Sequence, residues 1–184
     1  MEFETLRQHL EISPRETMQI EGFRQAAILV PLLQTAEGLE LLFTVRAASL
    51  SNHAGQIAFP GGRLDEGETV TEAAIRETEE EIGISVNPDN VIGFLHDHPS
   101  PAEYIVTPVL AVIDWPQPLT LNPYEVDEVF TVSLDALKGI TPRTEERQLR
   151  RYRRTLHFYD YKDWVIWGLT GNVTKMVLEL FEDS

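Results

Sequence analysis

Gly61-Gly62-Arg63-Leu64-Asp65-Glu66-Gly67-Glu68-Thr69-Val70-Thr71-Glu72-Ala73-Ala74-Ile75-Arg76-Glu77-Thr78-Glu79-Glu80-Glu81-Ile82-Gly83-Ile84 is the stretch on which the reading of the chain turns. Thr69 and Glu72 stand at capping-box spacing, helix formers run unbroken to Ile82, and Gly83 sits where a left-handed C-cap belongs. The pattern predicts a helix over 70–82. At about 100° per residue, Ala74, Ile75, Thr78 and Ile82 make an apolar stripe, Glu72, Arg76 and Glu79 a charged face, and Glu77, Glu80 and Glu81 a third face. Glu77 and Glu81 are i,i+4 neighbours with Glu80 in the same turn, so the carboxylates can approach within ~5–6 Å. At an effective dielectric near ~20, two such charges repel by about 3 kcal/mol. The plain reading of a charge run is a solvated helix face. A cation is the other, and an all-oxygen carboxylate set suits Mg²⁺ or Mn²⁺ shared with substrate phosphates. Gly61 and Gly62 favour the cation, because a turn without Cβ atoms lets backbone approach a metal or a phosphate closely.

Outward from this helix, Ala26 to Leu33 and Leu39 to Arg46 read as paired strands about a turn at Thr35–Gly38, with Pro31 arguing for an edge or a bulge. A short strand, 57–59, ends at Pro60-Gly61-Gly62. Downstream, 91–95, 104–113 and 125–132 read as strands, 133–138 as a helical turn, 156–159 and 164–167 as strands, and Val173, Met176, Val177 and Leu180 as one face of a final helix. Residues 3–10 suggest a short helix. Strands and helices mix without regular βαβ alternation, so the expected class is α+β with a mixed sheet. A length of 184 residues predicts a single domain, 1–184.

The chain carries 15 basic and 30 acidic side chains, a formal charge of −15. Such a charge repels phosphate backbones and argues against nucleic-acid binding. With no cysteine there is neither a disulfide framework nor a thiolate metal site nor a cysteine nucleophile. Met1-Glu2-Phe3-Glu4 lacks the basic start and apolar core of a signal peptide, and no long apolar run occurs. No membrane partner and a cytoplasmic location are the expectations.

The quoted stretch resembles the Nudix box, G-x5-E-x7-R-E-U-x-E-E-x-G-U with U aliphatic, through Gly62, Glu68, Arg76, Glu77, Glu80, Glu81, Gly83 and Ile84, so that the box spans 62–84. Thr78 departs from it at the first U, on the apolar stripe, where packing rather than metal binding is at stake. Phe43-Thr44-Val45-Arg46-Ala47, Gly55 and Phe59-Pro60-Gly61-Gly62 resemble the signature L-L-T-x-R-(S/A)-x3-R-x3-G-x3-F-P-G-G of coenzyme A pyrophosphatases. Phe43 replaces its second leucine and Ser51 its second arginine, and His53 stands close enough to Ser51 to substitute in part. Ile166-Trp167-Gly168-Leu169-Thr170 is similar to that subgroup as well.

The resemblance implies a Nudix fold, an α/β/α sandwich around a mixed β-sheet, and a divalent-metal-dependent hydrolase of nucleoside diphosphate derivatives. For the subgroup the substrate is coenzyme A, cleaved to 3′,5′-ADP and 4′-phosphopantetheine. It also implies roles. Glu77, Glu80 and Glu81 become metal-binding and water-activating carboxylates, with Glu77 and Glu81 preferred as ligands, Glu80 as ligand or base, and the carbonyl of Gly61 or Gly62 a further ligand. Glu68 and Arg76 become scaffolding. Nudix enzymes differ in whether the base lies in the box or in a later loop, so Glu103 is a catalytic candidate, ahead of Glu125, Asp127 and Glu128. Arg63, Gly61 and Gly62 are assigned to the diphosphate. Arg46, or one or two of Arg143, Arg147, Arg150, Arg151, Arg153 and Arg154, is assigned to the 3′-phosphate; solvated pairing with acids such as Glu145 and Glu146 is the competing account of that arginine run. A small-molecule substrate and a homodimer complete the expectations, with ADP-ribose or NADH as alternative substrates and a non-catalytic nucleotide sensor as the third reading.

Overall fold

The computed structural model describes residues 3–13, 15–50, 53–149 and 152–181. In chain order the elements are α1 (Phe3–Ile12), β1 (Arg24–Thr35), β2 (Gly38–Arg46), β3 (Ile57–Ala58), β4 (Gly61–Arg63), α2 (Val70–Ile82), β5 (Val91–Phe94), β6 (His98–Pro99), β7 (Tyr104–Asp114), β8 (Val126–Ser133), α3 (Leu134–Lys138), β9 (Arg143–Leu149), β10 (Tyr152–Tyr161), β11 (Trp164–Ile166) and α4 (Gly168–Leu180). β1 and β7 run parallel at the centre, from Arg24 opposite Tyr104 to Gln34 opposite Asp114. Antiparallel neighbours flank them: β2 and β4 beside β1, β5 and β6 beside β7, and β3 and β8 on β2. The sheet is therefore mixed. A second sheet, β11-β10-β9, is wholly antiparallel.

The apolar run of β1 divides between two cores because successive side chains leave a strand on opposite faces. Ala26, Ile28, Val30 and Leu32 join Leu6 of α1, Leu134 and Leu137 of α3, and Val173 and Val177 of α4. Ala27, Leu29 and Leu33 join Ala73, Ala74 and Ile82 of α2. Each face of the central strands is covered, which is why β1 is a continuous apolar run rather than an alternating one. The result is an α/β/α sandwich around a mixed sheet, the α+β architecture expected.

Two local expectations change. Pro31 lies in a central strand rather than at an edge or bulge. Pairing with β4 ends at Ile28 and pairing with β2 begins at Leu32, and Leu29 N–H donates toward the β4 side, to the Pro60 carbonyl. By strand alternation Pro31 faces that same side, so its missing N–H falls where the strand changes partner. Gly61–Arg63 is not only a turn but a strand, β4, laid against β1. At Gly61, φ is +154°, and a Cβ there would fall on the Ala27 carbonyl oxygen. Only glycine allows the two backbones to come this close.

Candidate active site

The helix over 70–82 forms as its caps dictate. The Thr69 hydroxyl accepts from Glu72 N–H at 3.3 Å and the Glu72 carboxylate accepts from Thr69 N–H at 2.9 Å, while Gly83 closes the helix at φ +77°. Its apolar side buries Ala73, Ala74, Thr78 and Ile82, and Glu81 is buried with them at 5% exposure. Thr78 keeps its place in this stripe by donating its hydroxyl to the Ala74 carbonyl at 2.7 Å. Thr78→Val restores the aliphatic residue without changing shape, so stability should shift by no more than about 1 kcal/mol and turnover should stay at the wild-type level. Thermal melts beside an activity assay check both; a large loss of turnover would give Thr78 a role beyond packing.

β4 and α2 are held against each other by Arg76. Its Nε and Nη2 form two bonds to the Glu68 carboxylate, at 2.8 and 3.0 Å, and Nη2 also donates to the Arg63 carbonyl at 3.0 Å. The guanidinium thus ties the Arg63–Glu68 turn to the helix and holds the Glu68 carboxyl below its ordinary range. Arg76 Nη1 in turn donates to Glu77 at 2.9 Å and to Glu80 at 3.3 Å.

Glu77 and Glu81 meet the glycine turn. A Cβ at Gly62 would fall on the Glu77 carboxyl group, and the Glu81 carboxylate accepts from Gly61 N–H. Glu80 stands further out, its side chain 56% exposed against 18% for Glu77. Among the described residues no three His, Asp or Glu side chains stand close enough to enclose a metal; Arg76 draws Glu77 and Glu80 to itself while Glu81 turns to Gly61.

The electrostatics are unbalanced. Burial pushes the Glu77 carboxyl up against the pull of Arg76, with Glu80 and Glu125 adding like charge. Burial pushes Glu81 up to about 8, with Glu125 adding to the effect and Arg46 and Gly61 N–H opposing it. An all-oxygen donor set, under-neutralised and packed against a glycine where a Cβ would intrude, is the chemistry a hard divalent cation requires.

Around this corner opens a cleft of about 340 Å³ whose lining includes Arg46, Gly61, Gly62, Arg63, Ser100 and Tyr104. Arg46 Nε is buried without a hydrogen-bond partner, and Arg63 is exposed. Glu103 lies in the turn before β7, its carbonyl accepting from Arg24 N–H at 3.0 Å; it does not line the cleft, whereas its neighbours Ser100 and Tyr104 do. Glu125 is the loop acid that acts electrostatically on both Glu77 and Glu81. It arrives there by tertiary pairing: Arg46 of β2 is in register with Val126 of β8, and Ala47 N–H donates to the Glu125 carbonyl at 2.9 Å. Glu125 is one of the loop acids ranked behind Glu103 from the sequence, whereas no local pattern marks Ser100 or Tyr104, which are placed by strands distant in sequence.

The NUDIX domain family matches residues 22–155. This chain belongs to the Nudix family. A protein of Photorhabdus laumondii subsp. laumondii, described as the uncharacterized Nudix hydrolase NudL, is 34% identical over 172 residues, covering 92% of this chain and 91% of its own. A human relative, mitochondrial coenzyme A diphosphatase NUDT8, is 37% identical over 161 residues, covering 84% of this chain and 68% of its own. Among solved structures, the MutT/nudix family protein from Enterococcus faecalis superposes with a TM-score of 0.59 at 18% identity, over 100% of this chain and 69% of that one. That last likeness is one of fold. As a Nudix hydrolase the chain acts on a phosphoanhydride of a small-molecule substrate. None of its described helices is long and apolar enough to cross a membrane.

The remaining candidates have other partners. Arg143 forms two bonds to Asp160, at 2.8 and 3.1 Å, and Arg147 two to Glu145, at 2.9 and 3.0 Å. The Glu146 carboxylate takes the Thr155 hydroxyl instead of an arginine. His53 Nδ1 meets the Gln56 side chain at 2.7 Å. Asp127 accepts from Ala48 N–H at 2.8 Å. Ser51, Arg150 and Arg151 lie outside the described residues.

Proposed function

We propose that this Nudix hydrolase is a coenzyme A diphosphatase, dependent on Mg²⁺ or Mn²⁺, that cleaves the substrate's diphosphate to 3′,5′-ADP and 4′-phosphopantetheine. The observation that carries the substrate is the 37% identity with the human coenzyme A diphosphatase across 84% of this chain. Two arginines on the cleft, beside buried carboxylates, support the chemistry.

In this reading Glu77 and Glu81 hold the cation, joined by the Gly61 carbonyl, and Glu80 serves as ligand or base. A divalent cation held there would supply positive charge to offset the carboxylates and the diphosphate, and would make the attacking water more acidic. Arg46 and Arg63 bind the diphosphate oxygens from the protein side through charge-assisted hydrogen bonds. Glu68 and Arg76 position the glycine turn against the helix. Glu125, whose charge already reaches Glu77 and Glu81, joins Glu103 as a loop candidate for taking the water's proton.

The test is a panel of coenzyme A, ADP-ribose, NADH and diadenosine polyphosphates incubated with the protein and Mg²⁺ or Mn²⁺, with products separated by chromatography. Faster release of 3′,5′-ADP from coenzyme A than of any other product is expected. Preferential cleavage of ADP-ribose or NADH would overturn the substrate, and no turnover of any compound would overturn the enzyme.

A further inference from the structure

Beside the cleft at Arg46 and the Gly61–Arg63 strand lies a second one, of about 430 Å³, between β6 and the layer formed by β10 and α4. The two are neighbours on one face of the sheet. Val106 lines the first and His98 the second, and these residues are directly opposed in the β6–β7 pair. Opposed side chains of an antiparallel pair leave the same face about 5 Å apart. Pro99 and Ser100, adjacent in the chain, likewise divide between the two clefts.

The chemistry of the second cleft is specific. His98 Nδ1 lies 2.9 Å from the Asp97 carbonyl oxygen, which can only accept, so the ring proton sits on Nδ1 and Nε2 is a bare acceptor. Nε2 is buried and has no partner. Burial, with Arg154 beside it, holds the ring down at about 4, so it is neutral at pH 7. What His98 lacks is therefore a donor. Met18, Ile20 and Met176 add apolar, polarizable walls, and Arg153 and Arg154 add positive charge. Asp97 does not cancel that charge for a ligand. It is occupied by Arg15 at 2.5 Å, the Thr107 hydroxyl at 2.7 Å and Met18 N–H at 3.0 Å. Glu16, the other acid of the lining, is exposed.

A flat apolar ring with an amino donor, joined to a phosphate, satisfies all three features. We propose that this second cleft is the subsite for the 3′-phosphoadenosine end of the substrate, with the adenine amino group donating to His98 Nε2, the base against Met18 and Met176, and the 3′-phosphate at Arg153 and Arg154. The diphosphate then lies across the neighbouring cleft, at Arg46 and Arg63. The inference rests on the coenzyme A reading for the identity of the nucleotide. It also narrows the arginine run: Arg143 and Arg147 pair with the acids Asp160 and Glu145, while Arg153 and Arg154 line the cleft, Arg154 with its Nη1 donating to the Pro99 carbonyl at 2.9 Å.

Calorimetric titration of the full chain without metal tests the subsite apart from catalysis. 3′,5′-ADP should bind the wild type about tenfold or more tightly than 5′-AMP, the factor expected of a hydrogen bond to a charged group. Inosine 3′,5′-bisphosphate, with a carbonyl in place of the amino group, should bind more weakly than 3′,5′-ADP. Arg153→Ala, at an exposed position, should reduce the first difference severalfold, Arg154 remaining, and His98→Leu should erase the second. Met176→Trp, which fills the cleft, should weaken both bisphosphates and raise KM for coenzyme A with little change in kcat. Circular dichroism establishes that each variant is folded. Unchanged affinities in Arg153→Ala and Met176→Trp, or no measurable binding of 3′,5′-ADP to the wild type, would overturn the subsite. If coenzyme A is not hydrolysed while the binding differences hold, the substrate reading fails and the subsite stands; hydrolysis with unchanged affinities in the variants is the reverse.

Discussion

Glu81→Gln should lower turnover by about 10²–10⁴-fold, the range associated with positioned acid–base groups, and at the same time make the metal-free protein more stable at alkaline pH. Both effects come from one carboxyl group, 5% exposed, whose burial pushes it up to about 8. In the unfolded chain this acid ionises near its ordinary value. Between roughly pH 4.5 and 8 the unfolded state has therefore released a proton that the folded state retains. The burial penalty is absent below that window, grows through it and is complete above it, so folding stability falls as pH rises. The loss is on the order of 5 kcal/mol. Glutamine keeps an oxygen to accept from Gly61 N–H but carries no charge, and so removes the penalty. Melting in a chelator at pH 8.5 and at pH 4.5 should show the variant above wild type at the first pH and no higher at the second.

Mg²⁺ completes the comparison. It should raise the melting temperature of the wild type, more at pH 8.5 than at pH 5 because the ligand must lose its proton to bind metal, and should raise that of Glu81→Gln little. Glu77→Gln, which keeps an acceptor for Arg76 Nη1, should lose activity to a similar degree while remaining folded. Near-normal turnover in both variants would remove these carboxylates from the chemistry.

Gly62→Ala should be almost as damaging, through a single methyl group. The new Cβ would occupy the position of the Glu77 carboxyl, so either that side chain or β4 has to move. A displacement of about 1 Å at a catalytic group can lower rates by ~10²-fold. Because Gly62 pairs with Ala27 at ordinary backbone angles, the fold should survive, and the loss should appear in kcat and in the Mg²⁺ concentration required rather than in the melting temperature. Gly61→Ala differs, since its Cβ meets the Ala27 carbonyl and the Ile28 backbone; there the damage reaches the central strand and stability falls as well. Equal activity of Gly62→Ala and wild type would mean that Glu77 does not work from the place it occupies.

The box helix was legible because its information is local. Caps, stripe and C-cap glycine lie within a few residues of one another, and the helix spans Val70–Ile82 with its capping box intact. The three-face reading needed one refinement. Periodicity places Glu77, Glu80 and Glu81 together, but Arg76 reaches Glu80 by an i,i+4 bond and Glu81 is buried, because the helix packs against β4 through contacts that no helical wheel contains. The apolar stripe differs in the same way, burying Ala73, which lies outside the expected stripe, and leaving Ile75 only partly buried. Pro31 was misjudged for a related reason: proline removes one hydrogen bond, and whether that matters depends on what faces it.

From its own residues the chain determines a capped acidic helix, a glycine turn before it, a central apolar strand, and through them the family. These follow from spacing, and spacing is a property of the chain. Only the tertiary structure decided that β2 and β8 pair in a register that brings Glu125 to Glu81. It alone set His98 opposite Val106, beside an acid already neutralised by Arg15 and next to arginines from β10. The physical reason is that charge and hydrogen-bond balance are settled by neighbours in space, and a histidine written next to an acid in the sequence can fold to be a neutral acceptor facing a basic cleft.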